Sequence, residues 1–490
     1  MQRIVIVDSP SDWPLNIPDV EVVSGMAYLT SEAFKKQRHV RVFNMCRSYK
    51  YQTVGYYVSL LAAARGHKPI PSVATIQDMK SQAIVKLAGD ELEEVIQKSL
   101  SDEVGDEFTL SIYFGKNLER RYDRLAGQVY RMFHAPFVRA LFAREQGKWR
   151  LRRVGPIAAK EIPAEHHEDV IDFAKEYFQG KRSGTAKRPD IRYSLAILAN
   201  DKEELPPSDD KAIQRFIRAA EKLHMEVEII DKDDYSRIGE FDALFIRETT
   251  AVNHHTFRFA RRAAAEGLVV IDDPDSILKC TNKVYMNELL EKNQIPAPRT
   301  MIVNRENMHE VIGKVGLPCV LKQPDSSFSQ GVCKVTSQEE FDREIKSLFE
   351  TSDLLIAQEF LPTDYDWRIG ILDGKPLYLC KYYMAGKDWR ILTRDAQGKA
   401  VDGKSETMPV ELGPRKLISM ALKAANLIGK GLYGIDVKQV GNSFYVIEIN
   451  DNPSIEHNVE DAILKDELYM RIMEVFLRRI TDIKEGRQQL

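Results

Sequence analysis

No stretch of this 490-residue chain approaches the roughly 18 consecutive apolar residues of a membrane-spanning helix. The opening Met-Gln-Arg-Ile-Val-Ile-Val-Asp-Ser-Pro has too short an apolar stretch for a signal peptide and reads as a first buried strand. Cysteine is scarce: five residues, at 46, 280, 319, 333 and 380, odd in number and without metal or disulfide spacing. That excludes a disulfide scaffold or zinc-cluster fold and points to a reducing cytoplasm. A surplus of charge is also missing. The net charge of −3 gives no general attraction for nucleic acid or an anionic membrane. What is present is 43% hydrophobic and 29% charged residues, enough apolar material for several cores. The length predicts about three domains at roughly 150 residues each.

Three regions separate along the chain. Residues 1–180 begin with strand-like runs at 3–7 and 40–44 and a helix over 56–65, with helical patterns at about 78–100 and 117–147. Residues 181–189, Lys-Arg-Ser-Gly-Thr-Ala-Lys-Arg-Pro, have no apolar periodicity and form the expected linker. Residues 190–276 alternate as strand 193–199, helix 210–223, strands 226–230 and 243–247, helix 255–266 and strand 268–272. That alternation predicts a small parallel sheet covered on both faces. Residues 277–490 mix helices near 281–293 and 414–428 with antiparallel runs, and Leu372-Asp-Gly-Lys375 is a hairpin turn. A last helix over 459–480 places Ile463, Leu464, Leu468, Ile472, Phe476 and Ile480 at helical spacing. The fold class is therefore α/β in the first two regions and α+β in the third.

The chemistry concentrates in the third region. Glu448 and Asn450 stand two apart in Phe-Tyr-Val-Ile-Glu-Ile-Asn, so in a strand they share one face. Asp436 precedes them across a Gly441-Asn442 turn. An odd loop, such as 441–443, sets Asp436 opposite Glu448, whereas a two-residue loop sets it on the other face. Two carboxylates and an amide oxygen suit Mg²⁺ or Mn²⁺. Phosphoryl transfer also needs cations along the phosphates. Lys322 ends the apolar run Pro318-Cys-Val-Leu-Lys, and a small-residue loop, 325–332, follows it. Lys283 opens a helix. Glu359, after the apolar run 354–358, is either an edge-strand carboxylate or a hinge at a nucleoside. Arg368 and Arg390 suit a site where oxyanions gather, or stand as surface ion pairs.

Other signals read blandly. Gly398-Lys-Ala-Val-Asp-Gly-Lys-Ser405 matches the Walker A string, but no helix can begin at Glu406-Thr-Met-Pro409, so it is a polar loop. Residues 116–153 hold eleven Lys/Arg against three acids, and 90–107 eight acids against one lysine. The basic stretch could dock an acidic substrate or nucleic acid; the blander expectation is mutual neutralisation across a helix–helix contact, or two solvated faces. Glu165-His-His-Glu-Asp169 reads as a helix start, since its consecutive side chains diverge.

The order of these motifs resembles the ATP-grasp superfamily, most closely the RimK-type glutamate ligases. The resemblance rests on Asn282-Lys283, Ile295-Pro-Ala-Pro-Arg-Thr300, Lys322, Gln358-Glu-Phe-Leu361, Asp366-Trp-Arg368, Asp436, Glu448-Ile-Asn450 and Asn452-Pro-Ser454. It implies a RimK-like-associated N-terminal domain (1–180), a pre-ATP-grasp domain (190–276) and an ATP-grasp domain of two α+β subdomains (277–490). It implies ATP on Lys283, Lys322, Ser327, Gln330, Gly331, Gln358, Glu359, Phe360 and Asp366, with metal on Asp436, Glu448 and Asn450. Arg390 would steady the transferred phosphoryl group, with Arg368 beside it. The lid loop 326–331 departs from the family in holding one glycine. The implied activity joins a carboxylate to an amine through an acyl phosphate, adding an amino acid such as glutamate to a peptide, protein tail or small acid. Self-association stays open. The rival expectation is a regulatory or scaffold protein that binds ATP on the same fold without catalysis.

Overall fold

The computed structural model describes every residue except 1, 16, 18–19, 38–39, 180–190, 326–330, 386–387, 395–399 and 488–490. The linker expected at 181–189 lies outside the described residues. The chain divides into two units, residues 1–194 with 233–242, and residues 195–232 with 243–490.

In the first unit, Ile4-Val-Ile-Val7 is apolar at every position because both faces of its strand are covered. Ile4 and Ile6 join one apolar cluster, Val5 and Val7 another. Strands β1 (Gln2–Val7), β2 (Glu21–Ser24), β3 (Val40–Asn44) and β4 (Lys68–Ile70) form a parallel sheet in the order β2-β1-β3-β4. A second, antiparallel sheet holds β5 (Glu107–Tyr113), β6 (Phe137–Glu145) and β7 (Lys148–Pro156). The helix expected over 117–147 is thereby corrected: only Asp123–Met132 is α-helical, and Phe137–Glu145 is a strand. Its side chains follow period two, with Val138, Ala140 and Phe142 buried and Arg139, Leu141 and Ala143 half-buried.

The opposed charge runs do neutralise each other, but between helices and a strand. Lys148 on β7 pairs with Glu93 at 3.0 Å, and Arg150 with Asp90 at 3.4 Å and Glu93 at 3.3 Å. At 165–169, His166 and His167 hydrogen-bond separately to the Tyr113 hydroxyl and the Ile162 carbonyl, and an α-helix begins at His167.

In the second unit, β8 (Tyr193–Ala199), β9 (Met225–Ile230), β10 (Ala243–Arg247) and β11 (Val269–Ile271) stand in the order β11-β10-β8-β9, with β10 parallel to both neighbours. Next comes an antiparallel sheet of β12 (Thr300–Val303), β13 (Cys319–Lys322), β14 (Val332–Val335) and β15 (Leu355–Glu359), ordered β12-β15-β13-β14. The last large sheet uses β16 (Tyr365–Leu372), β17 (Lys375–Tyr383), β20 (Ser405–Met408), β21 (Leu432–Val440) and β22 (Ser443–Asn450), ordered β20-β17-β16-β21-β22. β18 (Leu392–Arg394) and β19 (Ala400–Asp402) form a separate ribbon, so the described part of the Walker-like string is strand at 400–402 and 405 with a link at 403–404, and holds no helix start.

The β16–β17 turn uses Asp373 and Gly374 at φ 50° and 71°, the left-handed pair that suits the twist of a hairpin. One face of the five-stranded sheet carries Trp367, Ile369, Ile371, Tyr433, Ile435, Val437, Val446 and Ile449 onto helix Arg415–Ile428. The alternating positions Asp366, Arg368, Asp436, Lys438, Glu448 and Asn450 are left for the opposite face. The terminal helix is Asp466–Lys484, starting later than the expected 459. Leu468, Ile472, Phe476 and Ile480 are buried as expected, while Ile463 is exposed in a turn. That turn is held by buried carboxylates: Glu460 accepts from the Glu456 amide, Asp461 from the Asn458 amide and the Tyr469 hydroxyl.

Candidate nucleotide and metal site

The hairpin that carries the three metal-ligand candidates corrects the expected loop. Val440 pairs with Ser443, so the turn has two residues, Gly441 and Asn442. A regular ladder from that turn would set Asp436 opposite Ile447. A β-bulge between Asp436 and Val437 takes up one residue of β22, and Asp436 stands opposite Glu448 after all. Phe444 and Val446 then face the core before the bulge and Ile449 after it, leaving Glu448 and Asn450 on the other face. Asn450 donates from Nδ2 to Asp436 Oδ2 at 3.1 Å.

Arg368, on the neighbouring strand β16, pairs in register with Asp436. Its Nε and Nη2 reach Oδ1 and Oδ2 at 2.6 and 2.7 Å, a two-pronged grip. Burial raises the Asp436 carboxyl above its ordinary pKa in spite of this arginine. Glu448 goes the other way. Burial pushes it up, but Lys283, Lys322 and Arg368 together outweigh that and hold it below its ordinary value. The Lys283 ammonium lies 3.1 Å from Glu448 Oε1. The helix Lys283–Lys292 that presents it is capped by Asn282, whose side chain accepts from the Tyr285 amide and donates to Asp325.

Lys322 ends β13 and points its Nζ at Gln358 Oε1, 2.8 Å away, while Gln358 donates to Thr300 at 3.0 Å. Burial lowers the Lys322 pKa from 10.5 to about 8, with Glu448 the main opposing charge. The structure thus brings Lys283, Lys322, Arg368, Asp436, Glu448 and Asn450 into one electrostatic cluster. Asp366 is 8% exposed and accepts from Lys438 Nζ at 2.6 Å and Thr363 Oγ1 at 3.0 Å. Lys438 was not among the expected residues, although its spacing of two from Asp436 on a strand put it on the same face.

Other expected residues stand differently. Glu359 lies on an interior strand between β12 and β13, which rules out the edge-strand expectation. Its carboxylate grips Arg299 at 3.0 and 3.1 Å, and that hydrogen bond lowers its pKa. The Glu359 and Phe360 amides already donate to the Arg299 and Pro318 carbonyls. Among the described residues no backbone carbonyl accepts from Leu361, so the backbone donor available at this corner comes one residue later than the hinge. The Phe360 ring lies under Lys334 Nζ, 3.9 Å from its centroid. Arg390 is not brought into the acidic cluster by any described contact. It grips Asp388 at 3.0 and 2.8 Å and holds that carboxyl down to about 2. Gly331, at φ 63°, hydrogen-bonds to Gln323, and a Cβ there would lie 2.4 Å from the Gln323 side-chain oxygen. Ser327 and Gln330 lie outside the described residues.

A fully buried arginine that sequence reasoning missed secures this site from behind. Arg247, at the end of β10, donates to Asn452 Oδ1 at 2.7 Å, the Pro453 carbonyl at 2.9 Å and Ser208. It locks the segment that follows Asn450 to the parallel sheet. Its signal was an arginine closing the apolar run Ala243-Leu-Phe-Ile.

Residues 26–173 match the RimK-like ATPgrasp N-terminal domain family, and residues 280–474 the RimK-like ATP-grasp domain family. An alpha-aminoadipate–LysW ligase from Sulfurisphaera tokodaii is 26% identical over 265 residues, 50% of this chain and 88% of that protein. A tetrahydromethanopterin:alpha-L-glutamate ligase from Methanocaldococcus jannaschii is 24% identical over 287 residues, 52% of this chain and 94% of that protein. The solved D-alanine–D-alanine ligase of Bacillus anthracis superposes with a TM-score of 0.47 at 14% identity, covering 60% of this chain and 99% of that one.

Proposed function

Because the chain carries a RimK-like ATPgrasp N-terminal domain followed by a RimK-like ATP-grasp domain, we propose that it is an ADP-forming carboxylate–amine ligase. One observation carries the reading at the level of residues. A bulged hairpin turns Asp436, Glu448 and Asn450 to one sheet face, where Arg368, Lys283 and Lys322 meet them.

The donor set fits a hard divalent cation. It offers carboxylate and amide oxygens only, and its negative charge is already met by a guanidinium and an ammonium. Asp436, Glu448 and Asn450 would hold Mg²⁺ or Mn²⁺, which when bound supplies charge neutralisation between the β- and γ-phosphates. Lys283 and Lys322 bind the phosphates, with Gln358 steering Lys322. Leu361 offers its amide to the adenine edge, beside Gln358, Glu359 and Phe360. Asp366, braced by Lys438, takes the ribose side. Arg368 is fixed by Asp436 and so presents its remaining donor edge without reorganisation when charge develops on the transferred phosphoryl group. Arg390 joins it if it exchanges Asp388 for substrate.

In the reaction, an oxygen of the acid substrate attacks the γ-phosphorus and the bond to ADP breaks. The resulting acyl phosphate is attacked at carbon by an amine. Phosphate leaves with the C–O bond pair, the amine loses a proton, and an amide remains. The names of the relatives, which pair alpha-aminoadipate with LysW and L-glutamate with tetrahydromethanopterin, support an amino acid as one substrate; the other is a small acid, peptide or protein tail in this reading. A cytoplasmic setting fits these soluble metabolites; among the described residues no helix is long and apolar enough to cross a membrane. The test is release of ADP and phosphate from Mg²⁺-ATP against pools of acids and amines, with products weighed. Release that requires both partners, and a joined mass lower by one water, is the expected result. Tight ATP binding without turnover against any pool would move the reading to a regulatory ATP-binding protein.

A further inference from the structure

A second cluster of ligating side chains lies away from the acidic face, at the carboxyl end of the parallel sheet. The sheet order β11-β10-β8-β9 places a topological switch point between β8 and β10, where the chain leaves adjacent strands toward opposite sides, the kind of place where open parallel sheets bind ligands. Glu248 follows β10 there, and His254 and His255 open the next helix. One ligand atom from each of Glu248, His254 and His255 falls within 4.8 Å of the other two.

Three details separate this group from an ordinary buried ion pair. His255 Nε2 is 2.9 Å from Glu248 Oε1, yet it is buried and makes no hydrogen bond. Carboxylate and imidazole are therefore close without an aligned hydrogen bond between them, which leaves both to turn toward a shared ion. Second, Thr256 Oγ1, which reaches the Thr249 carbonyl at 3.3 Å, lies 3.1 Å from His254 Nδ1. With that hydroxyl accepting, the proton sits on Nδ1 and Nε2 is the ligating nitrogen, as in a metal-bound histidine with its outer-shell partner. Third, the backbone that carries the carboxylate is anchored. Glu248 is 3% exposed, its carbonyl accepts from Asn452 at 2.8 Å, and Glu203 grips the adjoining Thr249. Bonds of 2.0–2.1 Å at tetrahedral angles set ligands about 3.3 Å apart, within reach of these separations by rotamer adjustment.

We propose that Glu248, His254 and His255 form a binding site for a borderline-soft divalent ion such as Zn²⁺, separate from the oxygen-only acidic cluster. Two imidazoles and one carboxylate leave a fourth position open, the donor set of a zinc that also holds an exogenous ligand. The proposal is independent of the ligase reading, since metal binding is measured without turnover. Chelator-stripped full-length protein is dialysed against micromolar Zn²⁺ in excess Mg²⁺, and metal is counted per chain. In parallel Co²⁺ is titrated and its visible absorption recorded.

One Zn²⁺ per chain and an intense Co²⁺ spectrum are expected from the unaltered protein. Both should be lost in His254→Ala and His255→Ala, and affinity should fall about 10- to 100-fold in Thr256→Val. Glu248→Gln, which keeps the side chain's shape, covers the case in which a histidine variant misfolds; it should weaken binding with an unchanged thermal transition in chelator. Absence of bound Zn²⁺ in excess Mg²⁺ overturns the proposal. So does unchanged stoichiometry and spectrum in the folded variants.

Discussion

Replacing Lys322 by Met should make the protein more stable and, at the same time, useless to ATP. The ammonium is buried at the end of β13, and burial holds its pKa at about 8 against an ordinary 10.5. At 1.36 kcal/mol per pH unit, keeping it charged at pH 7 costs the folded state about 3 kcal/mol. Methionine matches the stem's volume and carries no charge. It gives up the hydrogen bond to Gln358, worth about 1–2 kcal/mol with a charged donor. The net expectation is a gain of about 1–2 kcal/mol. For a domain of roughly 200 residues that raises the midpoint by about 3–6 °C.

The pH dependence fixes the cause. The unfolded chain keeps the Lys322 proton up to about pH 10.5, the folded chain only to about 8. Between those values the unfolded state binds more protons, so wild-type stability gains relative to the variant as pH rises. The advantage of Lys322→Met is therefore full below about pH 8, is lost at about pH 9, and reverses in favour of the wild type by about 1–2 kcal/mol at about pH 10.5. Calorimetry of the full chain without nucleotide, from pH 7 to 10.5, reads the gap; the same scans with Mg²⁺-ATP should show stabilisation of the wild type only. A variant less stable than wild type at pH 7, or a gap that ignores pH, refutes the reasoning.

The same lysine predicts proton-linked nucleotide binding. Above pH 8 it is neutral in the free protein and phosphate recharges it, so ATP binding at pH 9 should take up close to one proton and weaken up to about tenfold per further pH unit; calorimetry in two buffers of different ionisation enthalpy measures this, and zero uptake contradicts it. Glu448→Gln removes the carboxylate that Lys283 meets, and is expected to abolish ADP release while circular dichroism stays unchanged; full activity in that variant would sink the metal-ligand assignment. Gly434→Ala sets a Cβ 2.7 Å from Pro453 Cβ and 3.4 Å from Arg368 Cδ, so it should cost about 1–3 kcal/mol by overpacking and raise the KM for ATP as Arg368 shifts; an unchanged midpoint and KM would show the strand yields freely.

The chemistry-bearing residues were legible because each sits in an element whose period is simple. Lys322 closes an apolar strand, and Glu448 and Asn450 stand two apart in another, so their shared face follows from strand geometry. Register across the hairpin did not follow. A bulge consumes one residue without any compositional mark, and the even turn at Gly441-Asn442 pointed the wrong way. The trace it does leave is the apolar phase: Phe444 and Val446 fall on one parity, Ile449 on the other. Residues 137–145 misled for a related reason, since Arg139 and Arg144 spaced among apolar residues imitate an amphipathic helix. Ion-pair partners were the least legible. Arg390 with Asp388 and Arg368 with Asp436 differ in tertiary contact, not in local sequence. Asp388 lies within two residues of its arginine; Asp436 comes from a strand 68 residues away.

The bulge in β22 also makes this strand tolerant of a particular accident. A one-residue loss in a two-faced strand ordinarily throws every later side chain to the wrong side. Here the ladder carries a supernumerary residue just before the functional pair. Deleting Ile447 would heal the bulge into regular pleat, with Val446 still on Val437, Glu448 still on Asp436, and Ile449 still facing inward. Deleting Ile449 instead would turn Asn450 toward the core. Genetic drift by single codons thus has one safe slot beside this site, and a deletion scan from 443 to 450 should find ATP binding retained there and lost at 449.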